Sequence, residues 1–205
     1  VIREINDRLD TKFRVDEAAV RVFRKFPNIS IELSDIIVWS SHNFNPREFE
    51  ASGADTLLIA ETVHVSFNPI SLIRRTYNIK QLEIKNGVLH LYTDATGEAN
   101  YRLRSPSSKK KASGQRIDIG QLKASNFSIA VNNQAKQLVY SGFLKELQLN
   151  GRFSKKNTQI KGDLKGMLDV ISNKGIVYAT EREVSTRINL EVSDSLYILN
   201  AGQLQ

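Results

Sequence analysis

The stretch Ile79-Lys80-Gln81-Leu82-Glu83-Ile84-Lys85-Asn86-Gly87-Val88-Leu89-His90-Leu91 comes back forty residues later as Ile119-Gly120-Gln121-Leu122-Lys123-Ala124-Ser125-Asn126-Phe127-Ser128-Ile129-Ala130-Val131. Ile79, Gln81, Leu82, Asn86, Leu89 and Leu91 align with Ile119, Gln121, Leu122, Asn126, Ile129 and Val131. Each copy reads as an alternating strand, a polar Asn corner and a second alternating strand. A unit that recurs in this way predicts an extended antiparallel array. The functional question is then what covers the array's apolar face.

The same period of two runs through much of the chain. Ile29, Ile31 and Leu33 alternate with Ser30, Glu32 and Ser34, and Val63, Val65 and Phe67 with His64 and Ser66. The cleanest cases come later. Ile160, Gly162, Leu164, Gly166, Leu168 and Val170 share one face, opposite Lys161, Asp163, Lys165, Met167 and Asp169. At about 3.3 Å per residue that strand would run roughly 35–40 Å. Val184, Thr186, Ile188, Leu190 and Val192 repeat the pattern against Ser185, Arg187, Asn189, Glu191 and Ser193. A one-residue slip would expose the whole apolar set, so register should be tightly specified.

Elsewhere the pattern is different. Ile2, Ile5, Leu9 and Phe13 fall on one face of a short N-terminal helix. Residues 14–26 fit neither period, and their β-branched content favours a strand. Asn68–Ile73 reads as a helical turn or crossover, Asp94-Ala95-Thr96-Gly97 as a turn, and 105–116 as a flexible basic linker within the domain. Leu196, Ile198, Ala201, Gly202 and Leu204 look like the opening of a further strand unit, as if the natural protein continued. The fold expected is mainly β: one elongated domain over 1–205, a twisted antiparallel sheet forming a groove or half-open sandwich, with a short N-terminal helix.

Composition is that of a folded chain, 40% hydrophobic and 25% charged. With no cysteine, disulfides, zinc–thiolate clusters and thiol nucleophiles are excluded. No apolar run approaches a membrane span and no signal peptide is visible, while an opening on Val1 rather than Met is consistent with a trimmed start. Net charge is +7, and six of those charges lie on Arg102, Arg104, Lys109, Lys110, Lys111 and Arg116, a stretch without an acid. Such a run usually forms a solvated linker. Its functional alternative is contact of Lys109, Lys110 and Lys111 with anionic headgroups at a membrane surface. Nucleic acid is not expected, because no aromatics interleave with the bases and no binding motif accompanies them.

Chemistry-bearing patterns are absent. His42, His64 and His90 have no partners at metal-ligand spacing. There is no nucleophile elbow, P-loop or dinucleotide fingerprint. Asp163 and Asp169 alternate with Lys161 and Lys165, as cross-strand ion pairs do. No catalytic residue, metal or cofactor is expected.

Half-apolar strands with one short helix leave three ways to shield the apolar face: two sheets closing as a sandwich, a sheet curling into a trough for apolar ligands, or cover by another protein. Gly162 and Gly166, on the apolar face of a long strand, fit either a tight backbone approach or a slot widened for an acyl chain.

In order along the chain come Lys25-Phe26-Pro27-Asn28-Ile29-Ser30-Ile31-Glu32-Leu33, Leu57–Phe67, Pro69-Ile70-Ser71-Leu72-Ile73, Tyr77–Leu89 and Gly97-Glu98-Ala99-Asn100-Tyr101. This succession, over residues 1–104, resembles the N-terminal region of AsmA-family proteins. Beyond 117 only the general strand style is shared. The resemblance implies a periplasmic body in the cell envelope, held in the inner membrane by an N-terminal helix missing from this chain. It also implies a long β-groove of the TamB-like and bridge-like lipid-transfer type. The function implied is binding of phospholipid or another acyl-chain ligand for transport between inner and outer membrane, without catalysis. The alternative is an assembly module that aids outer-membrane protein biogenesis through contacts with envelope proteins. Candidate groove-lining residues are Leu82, Ile84, Leu89, Leu91, Ile129, Val131, Ile160, Leu164, Leu168, Ile188 and Leu190.

Overall fold

Strand-forming sequence dominates the structure, a computed structural model that describes residues 11–22, 29–49, 53–68, 77–102, 117–151, 157–193 and 196–201. Nine strands form one sheet in chain order: β1 (Phe13–Val22), β2 (Ile29–Trp39), β3 (Thr56–Phe67), β4 (Tyr77–Thr93), β5 (Ile117–Asn133), β6 (Leu138–Gly151), β7 (Asn157–Asn173), β8 (Ile176–Ser193) and β9 (Leu196–Ala201). Neighbours are antiparallel except β4 and β5, which run parallel. The all-antiparallel expectation is thus corrected to a mixed sheet. The repeat explains the exception, because its two copies lie side by side in register, with Ile79 opposite Ile119, Leu82 opposite Leu122 and Leu91 opposite Val131.

The Asn corner does not separate two strands. β4 and β5 each continue through it for 17 residues. Asn86 and Asn126 both adopt a left-handed backbone with φ +52°, and Asp35 on β2 does so at +51°. One such residue shifts the side-chain alternation by one place and bends the strand without ending its ladder. Pairing resumes on either side of these positions in every case, so Asp16, Asp35, Glu61, Asn86, Asn126 and Lys145 fall at one level across six strands. All six are exposed. Asn126 Nδ2 donates to Asn86 Oδ1 at 3.2 Å, and Asn86 Nδ2 to Glu61 Oε2 at 2.7 Å. The residues just inside this crease are the reverse: Ile36 is 2% exposed, Ala60 1%, Phe127 3% and Leu144 5%. A single-layer sheet buries side chains this deeply only where rows above and below lean over them. The sheet therefore folds toward its apolar face.

All nine strands belong to one sheet, and most side chains on its apolar face are half-buried, where the core of a closed double layer would bury them. Among the described residues the sandwich is therefore not formed: there is one layer. Nor is there an α-helix among the described residues, only a 3-10 turn at Pro46–Phe49. The helix expected at 2–13 lies mostly outside the described residues, and its last member, Phe13, opens β1. Residues 14–22 are strand, as their β-branched content suggests. The 160–170 strand is the middle of β7, whose 17 residues span about 55 Å. The crossover at 69–73, the 105–116 linker with Lys109, Lys110 and Lys111, and residues 202–204 lie outside the described residues.

One end of the sheet carries a plug. The β2–β3 connection stacks Phe44 on Phe49 (5.3 Å between centroids) and Phe49 on Tyr92 (5.0 Å), and Ala54 completes the cluster. His90 stacks on Tyr92 and bonds through Nδ1 to Thr56 O at 3.1 Å. Asn100 is fully buried and satisfied. Its Oδ1 accepts from Tyr92 N–H (3.0 Å), its Nδ2 donates to His90 O (2.9 Å), and its carbonyl accepts from Ser41 N–H (2.9 Å). The Asp94–Gly97 turn leads into it, closed by Gly97 N–H to Asp94 O at 3.1 Å.

Candidate functional site

Cross-strand register converts the strand alternation into continuous rows. Four run unbroken from β1 to β8. The first is Val20-Ile31-Val65-Leu82-Leu122-Leu149-Gly162-Ile188, and the second Ala18-Leu33-Val63-Ile84-Ala124-Leu147-Leu164-Thr186. Across the crease lie Val15-Ile36-Ala60-Gly87-Phe127-Leu144-Gly166-Val184 and Phe13-Val38-Leu58-Leu89-Ile129-Gly142-Leu168-Arg182. Every position is apolar or glycine except Thr186 and Arg182, both on β8. Shorter rows extend the face: Leu91-Val131-Tyr140-Ile171-Ala179 on one side and Gly151-Ile160-Leu190 on the other.

The opposite face is polar over most of its area. A representative row is Glu32-His64-Glu83-Lys123-Gln148-Asp163-Arg187, in which His64 Nδ1 lies 3.6 Å from Glu32 and Arg187 lies 3.6 Å from Asp163. The plug packs on this second face, against His90, Tyr92 and Ala130, whose neighbours Leu89, Leu91 and Ile129 point the other way. Among the described residues, the non-strand chain that covers the sheet thus leaves the apolar face open.

All the candidate lining residues fall on that one face. Leu82 and Ile188 share a row, as do Ile84 and Leu164, then Leu89, Ile129 and Leu168, then Leu91 and Val131, then Ile160 and Leu190. Ile160 and Leu168 are buried by their own neighbours, and the other nine are half-buried. The face also includes Leu33, which the alternation of β2 already marks, and Val15, Ile36, Val38, Leu58, Phe127, Leu144 and Leu147, which alternation alone leaves out. In Leu144 and Leu147, as in Ile84 and Gly87, the crease sets members of one face three positions apart, which a period of two does not reveal.

Gly162 and Gly166 do not widen a slot. A Cβ at either position would run into the β6 backbone, at Gln148 O and Phe143 O respectively. The glycines permit close approach of β6 and β7. Gly142 on β6 does the same for the Met167 carbonyl, 2.8 Å from where a Cβ would sit. Tyr140 keeps its proton more firmly than a free tyrosine, first because burial disfavours the phenolate and second because of the Asp169 charge.

The three histidines are not brought together. His42 is exposed beside the plug, and His64 and His90 are half-buried in separate contacts. Among the described residues no three His, Asp or Glu side chains gather as a metal site. No described helix is long and apolar enough to cross a membrane. No family model matches the chain, and no curated protein does.

Proposed function

We propose that the apolar face is a non-catalytic binding surface for acyl chains, in a segment of an AsmA-like, inner-membrane-anchored envelope protein that carries phospholipid between inner and outer membrane through the periplasm. One observation carries the reading: rows of Leu, Ile, Val and Phe continue across eight strands, on the face toward which the sheet folds, with no second layer on them among the described residues. Burial of apolar surface contributes about 25 cal/mol per Å², or about 0.8 kcal/mol per methylene. A chain that half-buries about ten methylenes on this face gains roughly 4 kcal/mol before ordering costs. That suits reversible binding and onward movement. The crease supports the same reading, since a folded sheet gives the chain walls on two sides.

Native mass spectrometry of the purified protein tests this. Co-purified phospholipid adducts are expected. Leu164→Asp, and Thr186→Glu at an already polar position of the same face, should each reduce them. A folded Thr186→Glu protein with undiminished adducts, or a wild-type protein that takes up no lipid when offered it, would overturn the reading. The assembly-module alternative draws on β1, an edge strand with Val20 67% exposed. It predicts a lipid-free protein that pairs with an extended client peptide.

A further inference from the structure

Arg182 is the single charged side chain in the four long rows of the apolar face. Its row is apolar from Phe13 to Leu168 and turns cationic only at β8. Leu168, directly opposite, is 8% exposed, and Val184 continues the apolar surface beside it. The neighbouring acids are turned elsewhere. Glu183 pairs with Met167 on the polar face and takes a hydrogen bond from Lys145 Nζ at 3.0 Å. Glu181 sits at the left-handed position (φ +49°) that resets the alternation of β8. Among the described residues Arg182 makes no ion pair and no hydrogen bond. A guanidinium placed on an apolar face without an internal partner suits an anion that arrives with an apolar body attached.

A second polar group converges on the same row. Tyr140 belongs to the next row, but its hydroxyl reaches over Gly142, to 3.3 Å from where a Cβ would stand. Gly142 is two strands from Arg182 in that row, roughly 9–10 Å between backbones. An anion above Leu168 would have the guanidinium on one side and the phenol on the other. The absence of a side chain at Gly142 is what leaves the hydroxyl room to lie there. Asp169 is the nearby acid that Tyr140 senses, and it is exposed.

The geometry points to Arg182, assisted by the Tyr140 hydroxyl, as the headgroup anchor of the apolar face: it binds the phosphate of an anionic lipid whose acyl chain runs from Leu168 along Ile129 and Leu89. This deepens the acyl-chain reading above and rests on it. It fixes which end of the ligand faces β8 and selects lipids with a negative headgroup.

The test compares dioleoyl phosphatidylglycerol, dioleoylglycerol and inorganic phosphate, each titrated against wild type, Arg182→Gln and Arg182→Lys, with circular dichroism confirming folding. Wild type should prefer phosphatidylglycerol over the neutral diacylglycerol by about three- to tenfold. Arg182→Gln should lose that preference while still binding diacylglycerol, and Arg182→Lys should keep part of it. Inorganic phosphate alone should bind far more weakly. Equal binding of phosphatidylglycerol and diacylglycerol by wild type, or an unchanged preference in Arg182→Gln, removes the anchor and leaves the groove standing. Phosphate bound as tightly as the lipid overturns the amphiphile as ligand. Binding of neither lipid removes the groove and the anchor together.

Discussion

Replacing Gly87 by alanine tests the crease directly. Gly87 follows the left-handed Asn86 and lies in the row between Ala60 and Phe127. A Cβ there would stand 2.5 Å from Ile59 O and 2.6 Å from Phe127 Cε2. The carbonyl belongs to β3, whose position the ladder fixes. The ring is 3% exposed and packed against Ala124 and Leu144. Neither obstacle is the free end of a flexible chain, so relief requires β3 and β4 to separate by about 1 Å, to ordinary contact distance. Overpacking of this kind costs about 1–3 kcal/mol. Stiffening of the unfolded chain by the new side chain offsets about 0.4–1 kcal/mol of that. The net expectation is destabilisation by about 1–2 kcal/mol, a fall in Tm of roughly 2–8 °C for a chain of this size. Urea and thermal unfolding followed by circular dichroism measure it. Phe127→Leu in the Gly87→Ala background should relieve the ring contact but leave the carbonyl contact, so the two substitutions should couple by about 0.5–1.5 kcal/mol. Strict additivity, or a Gly87→Ala protein within about 0.5 kcal/mol of wild type, would show that three strands do not meet this closely at the bend.

Two further outcomes are expected. Asn100→Ala should destabilise by about 2–4 kcal/mol, because it strands the buried Tyr92 N–H and His90 C=O; amide exchange at Tyr92 should rise with it, and an unchanged Tyr92 would refute the pinning. Tyr140 has its native pKa raised, so the unfolded chain loses this proton first as pH passes the ordinary value near 10. Its linkage leaves stability unaffected well below that value and lowers it as pH rises from there through the native pKa. Tyr140→Phe should therefore flatten the alkaline decline between about pH 9 and 11, and identical slopes in the two proteins would refute this.

The strands and their apolar face were legible because period two survives wherever a ladder is long: β7 and β8 announce themselves, and the candidates from Leu82 to Leu190 all share one face. The bend was half legible. The paired Asn86 and Asn126 mark a special position, but a polar residue flanked by alternating strands looks the same whether it ends a strand or folds one. What separates the cases is the shift of alternation, Ile84 to Gly87 and Ala124 to Phe127, which keeps apolar side chains on the same face across the Asn. Asp35, between Leu33 and Ile36, carries the same mark. The plug was not legible, because Phe44, Phe49 and Tyr92 come from two distant segments and follow no period. Arg182 was hidden for a related reason. The alternation of Val184, Thr186 and Ile188 extends back to residue 182 and gives its face, but only the register with β7 sets it opposite Leu168, at the end of an otherwise apolar row.

The parallel pair gives the connection after β4 a physical role. Two 17-residue strands in parallel register, each about 55 Å long, cannot be joined by a hairpin. The chain from Asp94 to Arg116 must bring its end back to the level of Tyr77, and at up to about 3.3–3.6 Å per residue it has the length to do so. Its first part is held in place: Asn100 bonds to Tyr92, His90 and Ser41, and Ser41 Oγ donates to Ala99 O at 3.0 Å. Those contacts tie it to the plug, which lies on the polar face. The return path thus sets out from the side away from the apolar rows, and the same repeat that makes the long face also demands a connection that begins by leaving it clear.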